Sequence, residues 1–382
     1  MKKIVIAQPL AFYAWNMRLG LAKALKQKGY SVIFVSSSDQ SISSEEQNSE
    51  QKDLYRKKIE EEFDYFEITI HRKGTNPLSD LQTLYEFYKA YKEIDPDVIL
   101  HFTVKPNIYG TLAAKLLGKP VINNIAGLGT LFITQSPLTS ILKQLYKFSQ
   151  KGAYRIFFQN RDDQSLFLDN HLIEKRQTAL LPGSGIDLQK FAPVNQKNNH
   201  PFRFLFIARL LKDKGIYEYI EAIKIIKKEY KEVAFQILGA LDSANKTAIS
   251  KEELTEWIEE GLIDYLGVSD RVDTIIAQAN CVVLPSYREG TPRSLLEASS
   301  MEKPIVTTNV VGCKEVVDDG VNGYLCEVKN SQDLAQKLKK MLNLSEEERQ
   351  IMGKRGREKM IREFDEQIVF DRYLRSIEEI IA

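Results

Sequence analysis

Two glutamates eight positions apart lie in the segment YREGTPRSLLEASS, which runs from Tyr287 to Ser300. The apolar run CVVLPS before this segment predicts a buried strand. Thr291 is a preferred N-cap residue, and Pro292 fits the first position of a helix, where no N–H group is needed. The pattern therefore predicts that Glu289 lies in a loop between a strand and a helix, and that Glu297 lies about a turn and a half inside that helix.

The start of this predicted helix is suited to bind an anion. Its first N–H groups have no partner within the helix, and they lie at the positive end of the helix dipole. Glu289 and Glu297 would repel a phosphate, but on either side of it they could accept hydrogen bonds from sugar hydroxyls. The alternative is structural: Arg293 and Glu297 are spaced i, i+4 and could form a salt bridge, with Glu289 exposed to solvent.

Two basic residues follow the first predicted strand of the second half of the chain. In FIARLLKDKG, Arg209 and Lys214 come after the apolar run and before a helix that starts near Gly215. Two cations at the C-terminal end of a strand, next to a helix start, suit a diphosphate. Gly239, in LGA, ends the next predicted strand and would allow a close backbone approach. The alternative is an ordinary solvated run of charges.

An alternation of short apolar runs and amphipathic helical patterns positions these residues, from KKIVIA near the N terminus to KPIVTTN. Such alternation predicts an α/β protein with parallel sheets covered on both faces. A polar stretch between two prolines interrupts the rhythm of the 382-residue chain. We therefore expect two Rossmann-like domains facing a central cleft, residues 1–193 and 202–363, with a linker at 194–201 and a last helix, 364–382, docked on the domains.

Composition is that of a soluble globular protein, with 43% apolar residues, 27% charged residues and a formal net charge of +1. Cys281, Cys313 and Cys326 stand far apart, which favours reduced, buried thiols over a disulfide framework. The four histidines lack metal-ligand spacing. No apolar stretch of about 18 residues could span a membrane, and the run after Met1 is too short for a signal peptide. We expect neither a metal cofactor nor a nucleic-acid partner.

Taken in this order, the pieces resemble the family 4 glycosyltransferases, which are retaining enzymes with the GT-B fold. The family signature of a Glu, seven residues and a second Glu matches Glu289 to Glu297, and an Arg and a Lys are spaced as in ARLLKDKG. The tract KPIVTTNVVGCKEVVDDGVNGYLC resembles the family's G-x-x-E-x-V-x-x-G-x-N-G segment. The match covers residues 200–365 strongly and the first half of the chain more loosely.

The resemblance implies transfer of a hexose or an N-acetylhexosamine, such as N-acetylgalactosamine, from a UDP-sugar. Arg209 and Lys214 would hold the diphosphate. Glu297 would accept hydrogen bonds from the ribose, and Glu289 from the transferred sugar. Val268 would lie beside the base. Further donor-binding candidates are Gly239, Gly290, Thr291 and Pro292. Neither a metal nor a covalent nucleophile is implied, because cations and helix N–H groups would stabilise the leaving diphosphate.

One loop departs from the family pattern. Many members have a histidine after the strand equivalent to PVINNI, but here the loop reads AGLGT, residues 126–130. Gly127 and Gly129 could instead let the backbone approach a phosphate. His101 and Lys105, in HFTVKPNIYG, lie at the end of a predicted strand and could face the same cleft on the acceptor side. The alternative for His101 is a half-buried strand residue.

The tract from Val98 to Arg161 contains no Asp or Glu but eight Lys or Arg residues. Lys143, Lys147 and Lys151 recur every four residues beside apolar positions. This pattern is typical of a basic amphipathic helix that lies on an anionic membrane surface. The alternative is an ordinary core-facing helix with a solvated lysine stripe.

The segment PLAFYAWNMR follows the first predicted strand, and we expect a cleft-side loop there. Its aromatic residues, Phe12, Tyr13 and Trp15, could meet a lipid or a sugar ring, or they could belong to the core. Asn16 and Arg18 are further acceptor-side candidates.

The segments HFTVKPNIYG, AGLGT and PGSGIDLQKF resemble those of family members that extend undecaprenyl-diphosphate-linked saccharides in O-antigen, capsule or protein-glycosylation pathways. The resemblance implies a lipid-linked acceptor and a peripheral, cytoplasmic position on the inner face of the cytoplasmic membrane. Two rival functions share the architecture: a UDP-N-acetylglucosamine 2-epimerase and a non-catalytic sugar-nucleotide binder. The basic tract and the four intact charged residues of the donor site favour the transferase.

Overall fold

The computed structural model describes residues 1–38, 53–70, 76–128, 137–194, 201–242, 245 and 247–382. Contacts divide the chain into two compact units. The first unit comprises Met1–Leu181 and Val369–Ala382, and the second comprises Pro182–Ile368. Each unit is built around its own parallel sheet.

The strands of the first unit are β1 Lys3–Leu10, β2 Ser31–Ser37, β3 Asp64–Glu67, β4 Val98–Phe102, β5 Val121–Ile125, β6 Arg155–Phe158 and β7 Thr178–Leu180. They form one sheet in the order β3-β2-β1-β4-β5-β6-β7, and every pair is parallel. All residues of β4 and β5 are buried. Burial on both faces explains why these strands are almost continuously apolar in the sequence.

The helices of the first half of the chain are α1 Ala11–Gln27, α2 Leu54–Glu60, α3 Pro77–Ile94, α4 Thr111–Leu116, α5 Pro137–Gln150 and α6 Arg161–Asp169. A π-helical turn, Pro106–Gly110, precedes α4. Two apolar layers enclose the sheet. One includes Phe87 of α3 and Tyr146 of α5, and the other includes Ala14 and Leu21 of α1.

Helix α1 corrects the prediction of a loop at PLAFYAWNMR, because it begins at Ala11. Buried Ala11 and Ala14 continue the helical spacing of the apolar residues back to the end of β1. Asn16 therefore lies on a helix and donates from Nδ2 to the carbonyl of Phe12 at 2.9 Å. Arg18 is buried, with its guanidinium 3.9 Å from the ring centroid of Phe102.

The strands of the second unit are β8 Phe202–Ile207, β9 Val233–Leu238, β10 Asp264–Tyr265, β11 Cys281–Leu284, β12 Ile305–Thr308 and β13 Gly323–Cys326. Their order in the sheet is β10-β9-β8-β11-β12-β13, again parallel throughout. The helices that follow are α7 Ile216–Ile226, α8 Lys251–Glu259, α9 Val272–Gln278, α10 Arg293–Ser300, α11 Ser331–Asn343 and α12 Glu346–Lys359. All three cysteines are buried and unpaired, as expected.

The division between the units falls after Leu181, earlier than the expected linker at 194–201, of which residues 195–200 lie outside the described part. The reason is packing, since Ile186 and Phe191 belong to the core of the second unit. Helix α13, Glu366–Ile381, ends the chain. Its Phe370 and Tyr373 pack into the core of the first unit, where Asn124 donates from Nδ2 to the hydroxyl of Tyr373 at 2.8 Å.

Candidate functional site

The candidate site lies at the C-terminal edge of the second sheet, where the strand order reverses. Strands β8 and β11 are neighbours, but the chain continues from them toward opposite edges of the sheet. In parallel α/β sheets such a switch point leaves a crevice beyond the strand ends. Lys214 follows β8 and Glu289 follows β11, so the topology brings together two side chains that are 75 positions apart.

Lys214 and Glu289 form the charged centre of the site. Nζ of Lys214 lies 2.5 Å from Oε1 of Glu289, and the two side chains are only 20% and 13% exposed. The ammonium group has three N–H donors, so it can contact a carboxylate and a phosphate at the same time. Glu289 is therefore not a solvated side chain, contrary to the structural alternative drawn from the sequence.

Backbone contacts hold these two loops together. The carbonyl of Asp213 accepts hydrogen bonds from the N–H of Tyr287 at 2.9 Å and from the hydroxyl of Ser286 at 3.1 Å. Gly215 has φ +75°, and a Cβ there would lie 2.0 Å from the carbonyl oxygen of Pro285. Only glycine fits both the left-handed backbone and this close approach. Lys214, between Asp213 and Gly215, is thereby held beside the loop that carries Glu289.

A tyrosine that the sequence analysis did not single out braces the same loop. The hydroxyl of Tyr287 donates to Oε1 of Glu218, on the first turn of α7, at 2.7 Å. Burial raises the pKa of Tyr287, and the carboxylate of Glu218 raises it further. On the other side of the loop, the N–H of Glu289 donates to the carbonyl of Val311 at 3.0 Å. No sequence spacing could have revealed the contact between Tyr287 and Glu218, because these residues are 69 positions apart.

Helix α10 begins one residue later than the capping pattern predicts. Arg293 is its first residue and Pro292 is the N-cap, with extended backbone at φ −72° and ψ 113°. The fixed φ of proline suits this extended position as well as the first helical one. Thr291 then precedes the cap and packs against Gly183, where a Cβ would lie 2.8 Å from the Cβ of Thr291.

Glu297 lies inside α10 and is 8% exposed. Nε of Arg293 donates to Oε1 of Glu297 at 2.9 Å, so the salt bridge that the i, i+4 spacing allows is present. Burial raises the pKa of Glu297, while the charge of Arg293 opposes this shift. A desolvated carboxylate of this kind is a strong acceptor for a hydroxyl group that reaches it.

Arg209 is the most exposed of the four charged candidates. Its NH1 lies 3.1 Å from Oδ2 of Asp242, after β9, and its side chain is 46% exposed. An exposed pair of this kind stabilises the fold by little, roughly 0–1 kcal/mol. The guanidinium can therefore exchange Asp242 for an anionic ligand at low energetic cost.

The remaining donor-side candidates lie at the same edge of the sheet. The N–H of Gly239 donates to the carbonyl of Gly267 at 2.8 Å, which joins the ends of β9 and β10. Val268, the next residue, is 68% exposed. The carbonyl oxygen of Gly290 would lie 2.6 Å from a Cβ at Gly312, so the loop after β12 also approaches the site closely.

His101 of the first unit is fully buried at the end of β4. Its Nε2 lies 2.8 Å from the hydroxyl of Tyr91, and its Nδ1 lies 2.8 Å from Oδ1 of Asn123. Burial lowers the pKa of His101 to about 4, so the ring is neutral at pH 7. These contacts agree with the alternative of a strand residue and place it deeper than the half-buried position expected.

The other acceptor-side candidates are less enclosed. Lys105 forms a salt bridge with Asp80 of α3, and its side chain is 13% exposed. Gly127, after β5, has φ +140°. Gly129 lies outside the described residues.

The three lysines of the predicted membrane helix differ in their surroundings. Lys143, within α5, donates from Nζ to Oδ1 of Asn170 at 2.9 Å. Lys147 is half-buried on the same helix, and Lys151 is exposed just after its end. Leu142 and Leu145 pack on the core, whereas Phe148 is exposed. The helix thus has both a core-facing side and an outward apolar side.

Within the described ranges, no three His, Cys, Asp or Glu side chains are grouped so that they could hold a metal ion. The same part of the chain contains no helix with the length and apolar character needed to cross a membrane.

Two family models match the chain without overlapping. One, described as glycosyl transferases group 1, matches residues 187–359, and the other, described as glycosyl transferase 4-like, matches residues 10–160. The first match contains all the donor-side candidates, and the second contains the acceptor-side candidates and all three helix lysines, Lys143, Lys147 and Lys151.

Several curated bacterial proteins are similar in sequence. The chain is 28% identical to the N,N'-diacetylbacillosaminyl-diphospho-undecaprenol alpha-1,3-N-acetylgalactosaminyltransferase of Campylobacter jejuni, with 96% of each chain covered. It is 27% identical to the capsular polysaccharide biosynthesis glycosyltransferase CapM of Staphylococcus aureus, over 77% of this chain and 79% of that one. It is 24% identical to the UDP-Gal:alpha-D-GlcNAc-diphosphoundecaprenol alpha-1,3-galactosyltransferase of Escherichia coli, over 75% and 76%.

Solved structures share the fold over the whole chain. The Anabaena protein HepE, in complex with UDP and glucose, superposes with a TM-score of 0.79 at 17% identity and covers 99% of this chain and 100% of its own. The sucrose-phosphate synthase of Thermosynechococcus elongatus gives 0.77 at 15% identity, with 100% and 99% covered. Together with the two parallel sheets, these structural similarities confirm the predicted fold class, a two-domain, Rossmann-like GT-B fold.

Proposed function

We propose, on the premise that this chain belongs to the family 4 glycosyltransferases, that it transfers a sugar from a UDP-sugar to a polyprenyl-diphosphate-linked saccharide. The transferred group is a hexose or an N-acetylhexosamine such as N-acetylgalactosamine. The product serves bacterial glycan assembly, in an O-antigen, a capsule or protein glycosylation.

The contact between Lys214 and Glu289 carries this proposal. When the bond between the sugar and the diphosphate of the donor breaks, negative charge develops on the leaving diphosphate. Lys214 is fixed in position before the reaction begins, so it can stabilise that charge without a further cost of reorganisation. Glu289, 2.5 Å from the ammonium, is placed to accept hydrogen bonds from hydroxyls of the sugar. The remaining N–H groups of Lys214 can donate to the phosphate.

Arg209 and α10 complete the proposed donor site. Arg209 would leave Asp242 and bind the diphosphate, and the N-terminal N–H groups of α10 would point toward it. The buried carboxylate of Glu297 would accept from the ribose hydroxyls. The configuration at the sugar is retained by attack on the face from which the diphosphate departs, so no side chain is assigned as a covalent nucleophile.

The names of the relatives support the proposed donor and acceptor classes. The Escherichia coli relative is named for a UDP-sugar donor and a diphosphoundecaprenol acceptor, and the Campylobacter relative for a diphospho-undecaprenol acceptor. The solved complexes of HepE contain UDP or UDP-glucose. A lipid-linked acceptor also agrees with the acid-free, basic tract from Val98 to Arg161. We place the enzyme on the inner face of the cytoplasmic membrane as a peripheral protein.

A nucleotide-release screen tests this function. Sugar nucleotides are incubated with the enzyme, with and without undecaprenyl-diphosphate-linked saccharides and with EDTA in a parallel series. We expect UDP release that requires the lipid-linked acceptor and persists in EDTA, because Lys214, Arg209 and helix N–H groups supply the positive charge. Conversion of the free UDP-sugar to an epimer would identify an epimerase, and no turnover of any sugar nucleotide would identify a binding protein.

A further inference from the structure

Three large apolar side chains are exposed on two helices of the first unit that contact each other. Leu116, at the end of α4, is 69% exposed, and Ile141 and Phe148 of α5 are 59% and 62% exposed. Ile141 and Phe148 are seven residues apart, about two helical turns, so they lie on one line along the outer side of α5. We refer to Leu116, Ile141 and Phe148 as the apolar ridge.

The C-terminal ends of α4 and α5 are in contact through Lys115. Nζ of Lys115 lies 5.2 Å from the ring centroid of Phe148. A Cβ at Gly152, just beyond α5, would lie 3.3 Å from Cδ of Lys115. Lys115 therefore lies beside the C-terminal end of α5, and Leu116 is the next residue along the chain.

The apolar ridge is not needed to hold α5 on the sheet. Leu142, Leu145 and Tyr146 supply the core-facing side of the helix, and Tyr146 is 2% exposed. Burial of the core does not explain why a phenylalanine, an isoleucine and a leucine are exposed on these two helices, and exposed apolar surface commonly marks an interaction site.

The charges around the ridge identify its partner. Lys115 and Lys151 are exposed beside it, Lys147 is half-buried on its flank, and no acidic residue occurs anywhere in the sequence from 98 to 161. Lysines around apolar side chains complement a surface that presents anionic groups above hydrocarbon. Lys143 differs, because it is bonded to Asn170 on the other flank of α5.

We propose that the apolar ridge enters the headgroup region of an anionic bilayer, with Lys115, Lys147 and Lys151 bound to lipid phosphates around it. The inference rests on the proposed function, since a lipid-linked acceptor lies in such a surface. The sequence predicts a membrane contact through Lys143, Lys147 and Lys151 of a single helix. The proposed anchor is instead built from two helices, with Lys115 in place of Lys143.

Sedimentation with vesicles tests the anchor in the absence of nucleotide and acceptor. Vesicles of phosphatidylglycerol and phosphatidylcholine should bind the full chain, and pure phosphatidylcholine vesicles should bind it at least about tenfold less, since each lysine near the surface contributes about 1 kcal/mol. The variants Phe148→Asp and Leu116→Asp should each lower binding to anionic vesicles about tenfold or more. Ile361→Asp, at a residue 51% exposed on the second unit, is the matched control and should bind as the wild type does.

A second variant separates insertion from simple charge attraction. Phe148→Trp should show tryptophan quenching by brominated lipids, and Ile361→Trp should show none above the background of Trp15 and Trp257. Equal binding by the wild type and Phe148→Asp, or equal quenching of the two tryptophan variants, would overturn the anchor. So would a wild-type dimer that Phe148→Asp converts to a monomer without vesicle binding, because a second copy would then cover the ridge. None of these readouts depends on transferase activity, so failure of the anchor and failure of the proposed function are distinguishable.

Discussion

At the scale of single residues, the proposed transfer depends on the positive charge of Lys214. Lys214→Met keeps most of the length of the side chain and removes the ammonium group. We expect the rate of sugar transfer to fall by about 100-fold or more, the size of loss found when a preorganised donor to a developing charge is removed. The measurement is UDP release at saturating donor.

The neighbouring lysine provides the control. Lys212 lies two positions earlier on the same loop and is exposed. Lys212→Met should retain nearly wild-type transfer, and both variants should unfold cooperatively at temperatures close to that of the wild type. Near-normal turnover of Lys214→Met would remove Lys214 from the diphosphate site.

Glu366 gives a pH-dependent prediction at the same scale. Burial, and then the charge of Asp187, raise the pKa of Glu366 to about 7, while Arg293 acts in the opposite direction. In the unfolded chain the pKa is near 4.3. At a pH between these two pKa values, Glu366 has lost its proton in the unfolded state and has kept it in the folded state. The free energy of unfolding therefore falls as the pH rises, and the full loss of stability is present above pH 7.

Glu366→Gln should therefore be more stable than the wild type above pH 7, by about 1–2 kcal/mol after allowance for partial exposure, and no more stable near pH 4. Urea unfolding at pH 4.5, 6 and 8 measures the difference. Glu363→Gln, at an exposed residue paired with Arg362, is the control. A Glu366→Gln advantage that is the same at every pH would contradict the assigned cause.

At the scale of elements, the loop between β11 and α10 is braced by Tyr287. Tyr287→Phe removes one hydrogen bond to Glu218 and leaves its carboxylate poorly satisfied. Because a hydrogen bond of this kind is worth about 1 kcal/mol net, we expect KM for the donor to rise about five- to tenfold with a smaller change in kcat. Steady-state kinetics with varied UDP-sugar measure the split.

A neighbouring tyrosine makes a matched control. The hydroxyl of Tyr217 donates to Oε1 of Glu253 at 2.9 Å, a contact similar in kind but directed toward α8. Tyr217→Phe should cost similar stability and leave KM for the donor unchanged. If both variants raise KM alike, the effect is loss of stability in the unit and not positioning of Glu289.

The same elements show what the sequence could predict. Local patterns placed β8, β11, α7 and α10 correctly, because apolar period and capping residues are encoded within a few positions. The start of α10 shifted by one residue, since Pro292 is compatible with either the cap or the first turn. The loop predicted at PLAFYAWNMR is instead the beginning of α1, because Phe12, Tyr13 and Trp15 are equally compatible with exposed aromatic residues of a loop.

Contacts between segments that are distant in the chain could not be predicted from the sequence. Lys214 and Glu289 could be assigned to one site through the family resemblance, but their direct pairing, the Tyr287–Glu218 brace and the pairing of Arg209 with Asp242 depend on strand order. The burial of His101 depends on Tyr91 and Asn123, from a helix and a neighbouring strand. These features arise from tertiary packing that no local pattern encodes.

At the scale of the whole molecule, the two proposed functions lie in different units. Lys214, Glu289 and Arg209 belong to Pro182–Ile368, and the apolar ridge belongs to Met1–Leu181. Sites without shared partners are expected to act additively. Lys214→Met should therefore bind anionic vesicles as the wild type does, and Phe148→Asp should bind UDP with unchanged affinity in solution. Calorimetry and vesicle sedimentation check both; loss of both functions in either variant would contradict the separation.

We propose that the second unit binds the donor's diphosphate through Lys214 and Arg209 at the switch point of its sheet. The structure of the full chain bound to UDP tests it most directly. We predict that the diphosphate lies between Lys214 and the start of α10, with Arg209 turned away from Asp242 and the ribose at Glu297. A diphosphate bound anywhere else, or Lys214 still directed only to Glu289 with no contact to the nucleotide, would contradict the account.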